Sequence, residues 1–239
     1  ATVQDTPSDT STESVGHAHS SSSIGLWQGI LMVLRNPQNI FAGLYASIIN
    51  LPVFWFGFWG GNYLIQAHHL PRELAASING MVFFGMIVGS PLFGWWSDKI
   101  MRRKLPMIFG AMASFVVMMA IVWMPGLGRG SLFVLYFLLG IVISSQVIAY
   151  PLVVESNPLD LTGTAESMAS VLIMSGGFTL SLLTAALSWH WSGKLAGQVP
   201  YYSLGDYHFA LSLLPASFII ALLISLLLKE THCKPYQGE

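Results

Sequence analysis

The sequence predicts an all-α integral membrane protein with six transmembrane helices. Three observations carry this. The 239-residue chain is 54% hydrophobic and only 9% charged, whereas about a quarter of a soluble domain is charged. The hydrophobic residues gather into six stretches of about 20, the length that crosses the hydrocarbon core of a bilayer. None of the six has Asp, Glu, Lys or Arg in its central part. In lipid the backbone must satisfy its own N–H and C=O groups, so a span is either a helix or a strand of a closed barrel. Barrel strands run about ten residues with alternating polarity, and these segments are apolar on every face.

Along the chain, residues 1–23 are rich in Ser and Thr and carry Asp5, Asp9 and Glu13. They bury too little apolar area to offset ordering and read as a disordered cytoplasmic linker. They also lack the apolar stretch of a signal peptide. His17-Ala18-His19 has no further ligand beside it and reads as ordinary linker, not as a metal site. Residues 24–37 differ: Leu26, Trp27, Ile30, Leu31, Val33 and Leu34 crowd a short segment that Asn36-Pro37 stops. Too short to span, it reads as an amphipathic helix lying at the interface. The spans fill residues 38–230, at 40–66, 78–96, 105–124, 132–154, 168–189 and 207–228, and residues 231–239 form a cytoplasmic tail. Gly85-x-x-x-Gly89 in the second span, and Gly163, Ala165, Ala169 and Ser175-Gly176-Gly177 around the fifth, suit close helix packing. The third and sixth, with Phe115 to Met119 and Ile219 to Ile224, are bulkier and suit a lipid-facing role.

The formal net charge is −1, so nucleic acid is not an expected partner. The single cysteine, Cys233, excludes a disulfide within one chain. Lys and Arg near the span ends set orientation. One side carries Arg35, Lys99, Arg102, Arg103, Lys104, Lys229 and Lys234; the other carries Arg72, Arg129 and Lys194. This asymmetry puts both termini in the cytoplasm. Trp123, Trp189, Trp191, Tyr201, Tyr202 and Tyr207 then fall near the opposite face, as an interfacial aromatic belt would.

The one dense run of charge is Gly94-Trp95-Trp96-Ser97-Asp98-Lys99-Ile100-Met101-Arg102-Arg103-Lys104, between the second and third spans. It resembles the Gly-x-Leu-x-Asp-Arg-x-Gly-Arg-Arg loop of the major facilitator superfamily of secondary transporters. Gly94, Asp98, Lys99 (for Arg), Arg102 and Arg103 agree with that pattern. Trp96 stands for the usual Leu and Met101 for the second Gly, which predicts a less tightly turned loop. Residues 54–66, with Trp59-Gly60 and Tyr63-Leu64, are also similar to bacterial members. The resemblance implies the C-terminal half of a twelve-helix transporter, with its six helices arranged as two three-helix inverted repeats. It further implies an N-terminal six-helix half as partner, a bacterial inner membrane, and a small solute carried by alternating access, with protons as a coupling ion.

It also implies roles for residues. Asp98 would sit near the start of the fifth helix at Thr162-Gly163-Thr164-Ala165, where the helix dipole favours an anion, and Arg102 or Arg103 would reach Glu155. This cluster would latch one state and break in the other. The alternative is that Lys99, Arg102, Arg103 and Lys104 only set topology. The first and fourth spans would line the cavity, which makes Tyr45, Asn50, Trp59, Asn62, Tyr63, Ser145, Gln146 and Tyr150 candidates for solute contact. Asn50 and Gln146 lead because polar groups inside a membrane are costly and tend to face an interior or a watery cavity. Either could instead bond a neighbouring helix.

No catalytic constellation is present. Ile173-Met174-Ser175-Gly176 lacks the leading Gly of an intramembrane serine protease, and there is neither His-Glu-x-x-His nor a carboxylate pair within a span. No cofactor motif occurs, and nothing resembles a channel filter. With no carboxylate in mid-membrane, coupling and counter-charge belong to the other half, or the solute is neutral or zwitterionic. A non-transporting six-helix membrane protein or a channel-like partner is the alternative reading.

Overall fold

The computed structural model describes residues 25–191, 193, 195–196 and 199–236. The linker over 1–23 and its His17-Ala18-His19 therefore lie outside the described residues. Among the described residues the fold is helical apart from one two-residue ladder, and six helices are long and apolar enough to cross a membrane. They follow a short helix, α1 (Leu26–Arg35). The six are α2 (Pro37–His68), α3 (Arg72–Ile100), α4 (Lys104–Trp123), α5 (Arg129–Glu155), α6 (Leu159–Trp189) and α7 (Leu204–Leu227). A two-residue antiparallel ladder, β1 (Leu195–Ala196) with β2 (Val199–Pro200), joins α6 to α7.

Local chemistry sets the helix ends. The Asn36 side chain accepts the Gln38 N–H at 3.0 Å, and Pro37 fills the first position of α2, where its missing N–H costs nothing. Ser203 and Asp206 bond reciprocally as a capping box for α7. The ends of α3 correct two expectations. The helix starts six residues before the predicted position 78, because Arg72 and Glu73 make an exposed first turn beyond the apolar stretch. At its other end Met101 adopts the left-handed conformation, φ 51°. Its N–H bonds to Asp98 O at 3.1 Å and the Arg102 N–H to Ser97 O at 3.2 Å, the paired closure of a Schellman motif. The turn is thus as tight as a glycine would make it, and methionine carries the strain.

The helices pack in a definite set of pairs. α3 lies on α5 and α6 lies on α2; α4 contacts α5 and α7 contacts α2; α4 and α7 pair, and α2 meets α5 at the centre. Glycines make the closest approaches possible. A Cβ on Gly85 would sit 2.2 Å from Phe137 O, and one on Gly140 would sit 2.1 Å from Val82 O. Gly89 faces Ile141 and Ser144, and Gly176 faces Ser47. Gly85, Gly89 and Gly176 are therefore consumed by packing inside this chain. Gly80, Gly94 and Gly163 have open space before them. The bulky faces expected to meet lipid are exposed, at Val116, Met119, Ile219, Ile220 and Leu223. Two members of the expected aromatic belt are instead core residues, since Tyr202 and Tyr207 are buried, with the Tyr207 hydroxyl on Gln66 Oε1 at 2.9 Å. Trp123 and Trp189 are exposed as expected.

The central helices are interrupted. In α2 a turn at Asn50 precedes Pro52, and a π-helical turn covers Phe56–Gly60. In α5 a 3-10 stretch covers Ser144–Ile148, and α6 has another at Gly176–Phe178. Proline removes an intrahelical donor, and π turns concentrate at functional sites.

Candidate functional site

Two polar regions stand out, one at mid-helix on α2 and α5 and one at the end of the bundle that holds the charged loop. At mid-helix the structure divides the predicted residues. Tyr45 and Ser145 are fully buried and bonded to each other at 2.9 Å, and the Tyr45 hydroxyl also lies 2.7 Å from Met107 O. They clamp α2, α4 and α5 together. Tyr63 is likewise buried, its hydroxyl on Ile121 O at 3.3 Å and on His68 Nε2 at 3.0 Å. These three are buried and engaged in hydrogen bonds within the helix packing. Trp59 is half-buried and donates through Nε1 to Thr184 Oγ1 on α6 at 3.1 Å. Tyr150 is half-buried and accepts from Ser170 Oγ at 3.4 Å. Gln146, one turn before Tyr150, is half-buried, and Asn62 is exposed.

Asn50 stands apart. It is 5% exposed, and its Oδ1 has no hydrogen-bond partner among the described residues. An unsatisfied buried acceptor costs about 1–3 kcal/mol. It sits at the turn before Pro52, where α2 is already irregular. Trp55 Nε1, Asn79 Oδ1 and Tyr136 OH share its condition. These gather around Phe56: Asn79 Nδ2 donates to Phe56 O at 2.9 Å, and the Trp55 and Tyr136 rings lie 5.2 and 4.9 Å from the Phe56 ring. Asn79 and Tyr136 were not read from the sequence, because they lie on α3 and α5 and only the fold brings them to Phe56.

The loop end is more completely built. Of the two arginines, Arg103 reaches Glu155. Its Nη2 donates to Oε1 at 2.6 Å, and its Nε lies 3.0 and 3.3 Å from the two carboxylate oxygens. Its Nη1 donates to Asp98 Oδ1 at 2.5 Å and to Ser97 Oγ at 3.1 Å. The Arg103 and Glu155 side chains are 8% and 11% exposed, whereas that of Asp98 is 66% exposed. Burial works against the Arg103 charge, but the hydrogen bonds it donates to Glu155 and Asp98 more than offset it and hold its pKa above the ordinary value. Arg103 is thus a permanently charged centre, bonded through all three nitrogens, that ties the end of α3 to the end of α5. The recorded partner of Asp98 is this arginine, five residues on, and not the start of α6 at Thr162. Lys99 lies over the Trp95 ring at 4.7 Å. Gly94 has nothing within contact distance of where a Cβ would be.

The C-terminal segment completes the cluster, which the sequence reading missed. Glu230 accepts the backbone N–H groups of Arg103 at 2.6 Å and Lys104 at 3.1 Å, so it caps α4. Thr231 donates to Glu155, and Cys233 Sγ lies 3.9 Å from Ser97 O. Burial pushes the Cys233 thiol pKa up; Arg103 pulls it down, while Glu155, Asp98 and Glu230 push it up again. A second polar knot holds α1 and the start of α2 to the end of α5. Asn39 and Asn157 exchange side-chain hydrogen bonds of 2.9 and 2.7 Å, and Asn36 donates to Ser156 O at 2.9 Å. No single sequence motif marks these contacts, because the partners lie about 120 residues apart. Among the described residues no cluster of His, Cys, Asp or Glu could hold a metal.

Comparison with protein-family models gave no match, and comparison with curated proteins gave none either.

Proposed function

We propose that this chain is the C-terminal six-helix half of a secondary transporter of the major facilitator type, moving a small solute by alternating access. The observation that carries the reading is the Arg103 centre. The charged loop after the second span is tied through one buried arginine to Glu155 at the end of the fourth span and to Asp98. A releasable junction between two spans at one end of the bundle is what a rocking mechanism needs to hold one state and free the other. The packing pairs add support. Exchanging α2 with α5, α3 with α6 and α4 with α7 turns each main contact into another that is present, as two three-helix inverted repeats would require.

In this reading the loop end is cytoplasmic, both termini lie on that side, and the membrane is a bacterial inner membrane. The solute meets the half-buried Trp59, Gln146 and Tyr150, the exposed Asn62 and the unpaired oxygen of the buried Asn50, while Tyr45, Tyr63 and Ser145 hold the helices that present them. These groups hydrogen-bond and stack but carry no charge, which favours a neutral or zwitterionic solute. Coupling to protons then falls to the N-terminal half.

The test is uptake in proteoliposomes, with a panel of amino acids, sugars and organic acids, with and without a proton gradient. The chain is assayed alone and joined to its upstream coding sequence. Uptake by the joined protein only is expected. Uptake by neither, across the panel, contradicts the proposal; uptake by the chain alone contradicts its half-transporter part.

A further inference from the structure

Arg103 and its neighbour Arg102 face opposite circumstances. Arg103 is buried and bonded to Glu155, Asp98 and Ser97. The Arg102 guanidinium has no hydrogen bond or ion pair among the described residues, and its side chain is exposed. It lines a groove of about 380 Å³ together with Lys104, Leu105, Ile108, Glu230 and His232. The Lys104 ammonium uses one donor, to Leu226 O at 2.5 Å, and has two left. The Glu230 carboxylate is turned to the backbone N–H groups of Arg103 and Lys104. The start of α4 is therefore already capped, and any anion in the groove must be held by the side-chain cations.

The groove is polar at one end and apolar at the other. Its floor is Leu105 and Ile108, in the first two turns of α4. On the same face, four and seven residues after Leu105, come Phe109 and Met112, both exposed. This stripe continues through Val116 and Met119 down the helix. Two cations and a histidine thus stand where the apolar span of α4 begins, with an uninterrupted hydrocarbon surface leading away from them.

We propose that this groove is a binding site for an anionic phospholipid. The phosphate lies between Arg102 and Lys104, with His232 beside it, and one acyl chain follows Leu105, Ile108, Phe109 and Met112. A soluble anion would use the cations but leave the apolar track empty. A zwitterionic lipid would use the track but bring its own cation against Arg102. The complementarity to a headgroup of net negative charge is what commits the site to that class. The proposal is independent of transport and requires only that α4 span the bilayer.

The experiment is native mass spectrometry of the purified full chain in detergent. The chain is titrated with phosphatidylglycerol or with phosphatidylcholine of the same acyl chains. The wild-type chain is expected to retain phosphatidylglycerol in preference, and millimolar inorganic phosphate is expected not to displace it. Arg102→Ala should weaken phosphatidylglycerol binding about five-fold and leave phosphatidylcholine unchanged. The Arg102 side chain is exposed and makes no hydrogen bond or ion pair among the described residues, so this variant should unfold thermally with the wild type. Lys104→Gln, which keeps a donor for Leu226 O, should weaken binding similarly. Equal retention of the two lipids, or undiminished phosphatidylglycerol binding by Arg102→Ala, would overturn the proposal. Displacement by inorganic phosphate would also overturn it, assigning the cations to a soluble anion instead.

Discussion

Removing Glu155 should damage this protein far more than removing Asp98, although the loop resemblance draws attention to the aspartate. Arg103 is buried, and Glu155 meets two of its three nitrogens from a side chain that is itself 11% exposed. Deleting one partner of a buried pair leaves an uncompensated charge and costs about 3–5 kcal/mol. Asp98 meets the third nitrogen from a side chain 66% exposed, where water replaces it readily, and an exposed pair contributes about 0.2–1 kcal/mol. Glu155→Ala also strips Thr231 of its acceptor, which places the cost toward the upper part of that range. The assay is reversible unfolding in mixed micelles for Glu155→Ala, Asp98→Asn, Arg103→Ala and the Glu155/Arg103 double variant. The expected order is Glu155→Ala well below Asp98→Asn. The double variant should be less destabilised than the sum of its singles, because removing both charges leaves none stranded. An Asp98→Asn variant as unstable as Glu155→Ala, or additive behaviour of Glu155 with Arg103, would refute the view that the pair is the buried core of this junction.

Three further outcomes follow from the same geometry. Met101→Gly should raise stability by about 0.5–1 kcal/mol in thermal unfolding, since glycine adopts the left-handed turn without strain and the methionine side chain is half exposed. Gly140→Ala should destabilise by about 1–3 kcal/mol or more, because its Cβ would meet the backbone carbonyl of Val82; Gly94→Ala, with open space, should be near neutral and serves as the control. The pKa of the Cys233 thiol lies above its ordinary value, and only the thiolate reacts, so its maleimide labelling should reach half-maximal rate at a higher pH than in the unfolded chain. Glu230→Gln, which loosens the cap on α4, should speed that labelling at fixed pH.

Much of this architecture could be read from the chain, and what could not has physical causes. Six spans were legible because lipid imposes one rule on every residue of a span, so apolar runs report helices without knowledge of their neighbours. Helix ends were less legible: Arg72 begins α3 outside the apolar run, where hydropathy says nothing. Gly85 and Gly89 were recognisable as a close-packing pair, but what they meet on α5, Gly140 for the first and Ile141 and Ser144 for the second, follows only from the fold. Polar residues posed the hardest problem. Tyr45, Ser145 and Asn50 look alike in sequence, yet two of them bond across helices and the third keeps an unpaired oxygen. Composition cannot separate these outcomes because each depends on what another helix brings opposite. The contribution of Glu230 and Thr231 was invisible for the same reason, since a polar tail after the last span reads as solvent-exposed until it is found folded over Arg103.

Alternating access is tested most directly at Gln146, half-buried in the 3-10 stretch of α5. A Gln146→Cys substitution in a Cys233→Ser background of the joined protein would be labelled by a membrane-impermeant thiol reagent applied to one side of the membrane or the other. The account predicts labelling from both sides, with a transported solute slowing each. Labelling from one side only, whatever the conditions, would contradict it.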